Sequence, residues 1–208
     1  MIERERDMAF SDFNLKTACE RFDLRLEEGR DLYSTTSSIE VPPRLREILD
    51  EWAPAAVAMN TEKARSEMIV APVLMTATRL AKPPVNLFSG VAFNVDEQRG
   101  LNGACDYLLT RSTERFFIRH PVAAIVEAKR EDIAGGLGQC VAEMVAARIY
   151  NEREGSPNLT IHGVVTTGSI WRFLRLEDNL VTIDRPEYYL TQIGQILAIL
   201  VSLFGDNV

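Results

Sequence analysis

The segment VAAIVEAKRED, residues 122–132, holds the side chains best placed to do chemistry. Side chains alternate faces along a strand, so Glu127 and Lys129 point the same way, roughly 6–7 Å apart, while Val126 and Ala128 face the opposite layer. A carboxylate thus stands beside an ammonium at the end of a run apolar enough for a central, buried strand. Charge in such a place is costly unless it is paired or bound to a metal. The plainer alternative is a strand that surfaces at Glu127 and ends in a solvated ion pair. A second carboxylate comes from GLNGACDYLL, residues 100–109, where Asp106 opens the preceding strand after Gly100 and Gly103. An aspartate at a strand start is often only a turn former. Adjacent strands can nevertheless bring Asp106 and Glu127 to one cation, and two oxygen ligands completed by water and substrate phosphate suit Mg²⁺.

The rest of the composition narrows that chemistry. Only two histidines are present, His120 and His162, which leaves too few ligands for a His-rich hydrolytic zinc site, and neither comes with a signal that would make it the base of a nucleophilic triad. A catalytic metal here rests on carboxylates and is expected to be Mg²⁺ or Mn²⁺. Cys19, Cys105 and Cys140 are odd in number and widely spaced, and they read as reduced packing residues. No apolar run approaches a bilayer span and the N-terminus is charged, so a cytoplasmic protein with no membrane partner is expected. The formal net charge of −7 runs against a polyanionic partner, although a local basic patch is compatible with it.

The elements that must position these residues follow from periodicity. Helices are expected near Leu15–Leu26 and, after Pro42-Pro43, near Arg44–Trp52. A third is expected from Thr61 to about Leu80, kinked at Pro72. The period then changes to strand type over Val85–Asp96, Ala104–Thr110 and Val122–Lys129. A helix over Ile133–Asn151 follows Asp132, with Gly135-Gly136 at its start. Strands are expected at Leu159–Thr167, Trp171–Leu176 and Leu180–Ile183, and a last amphipathic helix over about Glu187–Phe204. Residues 1–60 read as an N-terminal helical extension and 61–208 as one α/β domain. Gln139, ten residues after Lys129, is by itself a polar residue on the exposed side of an amphipathic helix.

The order helix, strand, strand with Asp106, strand with Glu127-x-Lys129, helix with Gln139 resembles the PD-(D/E)XK nucleases, the superfamily of the restriction endonucleases, over roughly Thr61–Thr167. The stretch TEKARSEMIVAPVL resembles the helix that opens the nuclease domain of type I restriction subunits. The resemblance implies a restriction-endonuclease-like α/β core with a C-terminal helix. It implies a metal held by Asp106 and Glu127, and an attacking water oriented or deprotonated by Lys129. Glu62 would be the assisting helix acid, with Glu67 its competitor, since the two lie about 140° apart around an ideal helix. Gln139 joins the site on the same grounds. The implied partner is nucleic acid, DNA before RNA. The implied activity is phosphodiester hydrolysis, the alternative being an inactive nuclease-fold module that binds nucleic acid or serves in assembly. The aspartate follows Cys105 where the superfamily's name has proline. Oligomeric state is left open, a homo-oligomer included.

Overall fold

The computed structural model describes residues 8–83, 85–157 and 159–204 of the 208-residue chain. Its elements run α1 (Leu15–Phe22), β1 (Arg25–Arg30), α2 (Pro43–Met59), α3 (Glu62–Arg65), a π-helical turn (Ser66–Val70) and α4 (Ala71–Leu80). Then follow β2 (Asn86–Ala92), β3 (Ala104–Thr110), β4 (Val122–Ala128), α5 (Ile133–Arg153), β5 (Ile161–Thr166), β6 (Ile170–Glu177), β7 (Leu180–Asp184), β8 (Tyr188–Tyr189) and α6 (Ile193–Phe204). One mixed, open sheet orders these strands β1-β7-β6-β5-β4-β3-β2, with β8 joining β6. Among the described residues, β1/β7 and β4/β5 are the parallel pairs.

The sheet divides two apolar layers. On one face Tyr107, Leu109, Ala124, Val126 and Ala128 pack with residues of α2, α4 and α6. On the other, Leu108 and Ile125 pack with Cys140, Val141, Met144 and Val145 of α5 and with Ala18 and Phe22 of α1. All seven residues of β4 are buried, as a strand covered by helices on both faces should be. Strand β4, helix α5 and strand β5 form a parallel crossover unit, which gives the sheet a carboxyl-terminal rim where ligand sites concentrate in α/β folds.

Several elements differ from the sequence expectation for physical reasons. Helix α1 stops at Phe22 because Asp23 adopts a left-handed conformation (φ 53°), and the chain continues as edge strand β1 rather than as helix to Leu26. The first sixty residues, set apart above as an extension, therefore contribute a strand to the sheet and Phe10, Phe13 and Leu45 to the core. Helix α2 runs on through Pro54 to Met59, well past Trp52. Just before Pro72, where the sequence predicts a kink, the helix passes through the π-helical turn Ser66–Val70. The Ala71 amide hydrogen bonds to the Ser66 carbonyl, and Pro72 occupies the first turn of α4, where its missing N–H matters least. The last helix begins at Ile193, because residues 188–189 pair with β6 and residues 190–192 form a 3₁₀ turn.

Candidate active site

Asp106 and Glu127 occupy facing positions on antiparallel β3 and β4. The register pairs Tyr107 with Val126, so the next position toward the rim sets Asp106 opposite Glu127, on the α5 face with Leu108 and Ile125. There the backbone ladder ends. The amide hydrogen of Ala128 is accepted by Asp106 Oδ2 at 2.8 Å in place of a main-chain carbonyl. This bond fixes the carboxylate beside Glu127, near enough that the charge of Asp106 acts on the Glu127 carboxyl. Glu127 is 2% exposed, and its Oε2 has no hydrogen-bond partner among the described residues.

Lys129 stands two residues on, with Nζ 2.5 Å from Glu127 Oε1 and donating to Gln139 Oε1 at 3.1 Å. Its backbone amide donates to the Thr166 carbonyl at 2.7 Å, which ties the end of β4 to β5. The first turn of α5 lies directly over this pair of strands. A Cβ on Gly136 would sit 2.7 Å from Val165 Cγ1 and 3.1 Å from Lys129 Cγ, so only glycine permits that approach. Likewise a Cβ on Gly138 would meet the Asn14 backbone at about 2.1 Å, which is how α1 seats against α5. Asp132 caps α5 through the Gly135 amide.

One member of the site was missed in the sequence. Gln139 Nε2 donates to Glu143 Oε1 at 3.1 Å, and Glu143 is fully buried on α5 with Oε2 unpartnered. A chain of side chains thus runs Glu127–Lys129–Gln139–Glu143, and Gln139 is a bridge within it rather than a solvent-facing residue. The signal available was a lone acid in the apolar stretch CVAEMVAA, four residues and about one helical turn after Gln139.

Electrostatics follow from burial and crowding. Burial, reinforced by the charge of Asp106, pushes the Glu127 carboxyl up to about 8. Burial also raises Asp106, against the opposing Ala128 amide and Lys129 charge. Glu143 is held well above the carboxylate range by burial and then by the charge of Glu127. For Lys129, burial works downward, but the charge and hydrogen bond of Glu127, followed by Glu62 and Asp106, leave it above its ordinary value. The cluster is short of positive charge: one ammonium serves three buried or half-buried carboxyls.

The two helix acids part company. The charge of Glu62, the first residue of α3 behind its Thr61 cap, acts on both Glu127 and Lys129. Glu67 lies on the exposed side of the π-helical turn and pairs with Lys63 at 3.5 Å. Asn60 to Glu131, and Arg65 to the Thr167 carbonyl at 3.1 Å, tie this helix start to the rim.

Among the described residues, no group of three or more His, Cys, Asp and Glu side chains is arranged to hold a metal ion. The donors available to a cation are therefore the two carboxyls of Asp106 and Glu127. Neighbouring carboxyls resist ionising together unless a proton or cation offsets their charge, and beyond the Lys129 ammonium on Oε1 the unpartnered Glu127 Oε2 is free to take either. A Mg²⁺ ion held by two carboxylates with water and phosphate matches that donor set. No helix among the described residues is long and apolar enough to cross a membrane. No protein-family model matches the chain, and no curated protein matches its sequence.

Proposed function

We propose that this chain is a metal-dependent nuclease of the restriction-endonuclease-like type, hydrolysing phosphodiester bonds in DNA in the cytoplasm. The observation that carries the reading is the facing pair Asp106 and Glu127 at the carboxyl rim of β4, with the Lys129 ammonium 2.5 Å from Glu127. Asp106 and Glu127 would hold Mg²⁺ or Mn²⁺, which when bound lowers the pKa of its water and polarises a phosphate. Lys129 is kept at the rim by Glu127 on one side and Gln139 on the other, so its charge is fixed before substrate arrives. Such a preset ammonium can orient an attacking water and offset charge developing on the phosphate. Glu143 sets the direction of the Gln139 amide: because Gln139 Nε2 is engaged there, its Oε1 must face Lys129. Glu62, at the rim, adds negative charge that favours a cation between the facing carboxyls.

The test is cleavage of single- and double-stranded DNA and of RNA with Mg²⁺ or Mn²⁺ against EDTA, with Glu127→Gln and Lys129→Met as controls. Divalent-dependent cleavage lost in both variants supports the reading. A second reading, an inactive nuclease-fold module that binds nucleic acid, is favoured by the near-complete burial of Glu127 and its close pairing with Lys129. Metal-induced stabilisation without cleavage of any of these polymers would decide for it.

A further inference from the structure

In a protein with 30 acidic and 23 basic side chains, basic residues without an acidic neighbour stand out. Most described arginines and lysines have an ion-pair or hydrogen-bond partner, as Arg172 has in Glu187, Arg153 in Asp96 and Arg185 in Asp31. Arg79 and Arg115 have none among the described residues, and neither does Arg44.

These three line one connected surface. A cavity of about 570 Å³ lies between the end of α4 and the start of the free edge strand β2, with Arg79 and Arg115 on its walls. A second, of about 370 Å³ between α2 and α4, carries Arg44 and shares Met75 and Arg79 with the first. No carboxylate lines either cavity among the described residues. Glu114, next in sequence to Arg115, is turned back on its own loop, accepting the Arg115 and Phe116 amide hydrogens at 3.1 and 3.3 Å. Beside Arg115 the β3–β4 loop holds out Phe116 at 97% exposure and Phe117 at 56%.

We infer that this surface binds single-stranded nucleic acid, with Arg44, Arg79 and Arg115 on successive phosphates and Phe116 and Phe117 as stacking platforms for unpaired bases. The choice of polymer rests on the nuclease reading above. The chemistry rests on the groove: unpaired guanidiniums without carboxylates select a polyanion, and exposed rings beside them select one with flat faces. An acidic peptide added along β2 would meet the same arginines, but it has no use for two solvent-held phenyl rings. The groove lies on the α2/α4 side of the sheet, toward the start of β4, and is therefore a surface apart from the facing carboxyls on the α5 side.

The experiment is fluorescence anisotropy of a labelled twelve-nucleotide oligo-dT with the whole chain in EDTA, where metal-dependent cleavage does not intervene. Arg79→Glu/Arg115→Glu should weaken binding at least tenfold and make the slope of log affinity against log salt shallower by about 1.4, at about 0.7 per phosphate contact. Phe116→Ala/Phe117→Ala should weaken it about fivefold or more per stacked ring. Lys16→Glu/Arg30→Glu, an equal change in net charge on exposed side chains of α1 and β1, should leave it unchanged. Circular dichroism and melting temperature confirm that each variant folds. Equal affinities across all variants overturn the inference. So does loss in the Lys16/Arg30 control to the same extent, or displacement of the oligonucleotide by poly-glutamate with no dependence on the two phenylalanines. Binding as described in a chain that cleaves nothing sinks the nuclease reading alone, and cleavage with unaltered binding in the groove variants sinks this inference alone.

Discussion

Asp106 accepts the backbone amide hydrogen of Ala128 at 2.8 Å, so a side-chain carboxylate takes the place of a main-chain carbonyl where the β3–β4 ladder ends. The bond both ends the strand pairing and aims the carboxylate at Glu127.

Removing that acceptor should therefore cost stability apart from any effect on activity. Asp106→Asn keeps a carbonyl oxygen for the Ala128 amide, whereas Asp106→Ala leaves a half-buried N–H without a partner, a loss of about 1–3 kcal/mol. Urea denaturation in EDTA should rank the alanine variant below the asparagine variant, and equal midpoints would show that the Ala128 bond carries no stability.

The raised Glu127 carboxyl gives a pH dependence of definite sign. Its folded-state value of about 8 lies above the ordinary 4.5, so the native state holds the proton more tightly than the unfolded chain. Its contribution is fully present below about pH 4.5 and is lost as pH rises through about 8, with a slope of up to about 1.4 kcal/mol per unit. Unfolding free energies in EDTA between pH 5 and 9 should fall with pH in the wild type more steeply than in Glu127→Gln. Parallel curves would place Glu127 in an ordinary solvated setting.

These features were unequally legible in the sequence. The period of two makes Glu127 and Lys129 neighbours on one strand face, and the apolar run before them marks a buried strand, so that part needed no structure. Gln139 entered the site only through the resemblance, and Glu143 was hidden, because α5 is buried over most of its circumference and leaves no polar face to compare. Strand β1, RLEEGR, was hidden for the opposite reason. Its residues are mostly solvent-facing, and a charged edge strand shows no apolar alternation. The phenylalanines of the β3–β4 loop, with no periodicity to place them, gave no sign of facing solvent.

His162 sets a second pH dependence, in acid. It is buried on strand β5 with Tyr33 Oη 3.4 Å from Nδ1, and burial, with Arg111 and Arg175, depresses it to about 3. Its folded value lies below the unfolded one of about 6.5, so stability is present above 6.5 and is lost as pH falls toward 3, by up to about 1.4 kcal/mol per unit. Urea titrations from pH 7 to 4 should show a shallower acid limb in His162→Leu than in the wild type; identical limbs would move the acid sensitivity elsewhere.

The Gln139 bridge predicts a contrast between two substitutions. Burial and then the charge of Glu127 hold the Glu143 carboxyl well above its ordinary value, which favours its neutral form, so Glu143→Gln, a neutral group of the same shape, should leave the melting temperature within a few degrees of wild type. Gln139→Leu removes the acceptor of Lys129 and the donor to Glu143 together, and should cost about 1–3 kcal/mol. Thermal denaturation of the two variants checks the order, and a larger loss in Glu143→Gln would mean that Glu143 is ionised.

The central claim, that Asp106 and Glu127 form one cation site, is tested most directly by melting temperature under Mn²⁺ titration. A ligand that binds only the folded state stabilises it by mass action, by about 2.7 kcal/mol at a hundredfold excess over its Kd. Millimolar Mn²⁺ should raise the wild-type melting temperature by several degrees and leave Glu127→Gln nearly unmoved. Equal shifts in the two proteins, or no shift in either, would contradict the shared site.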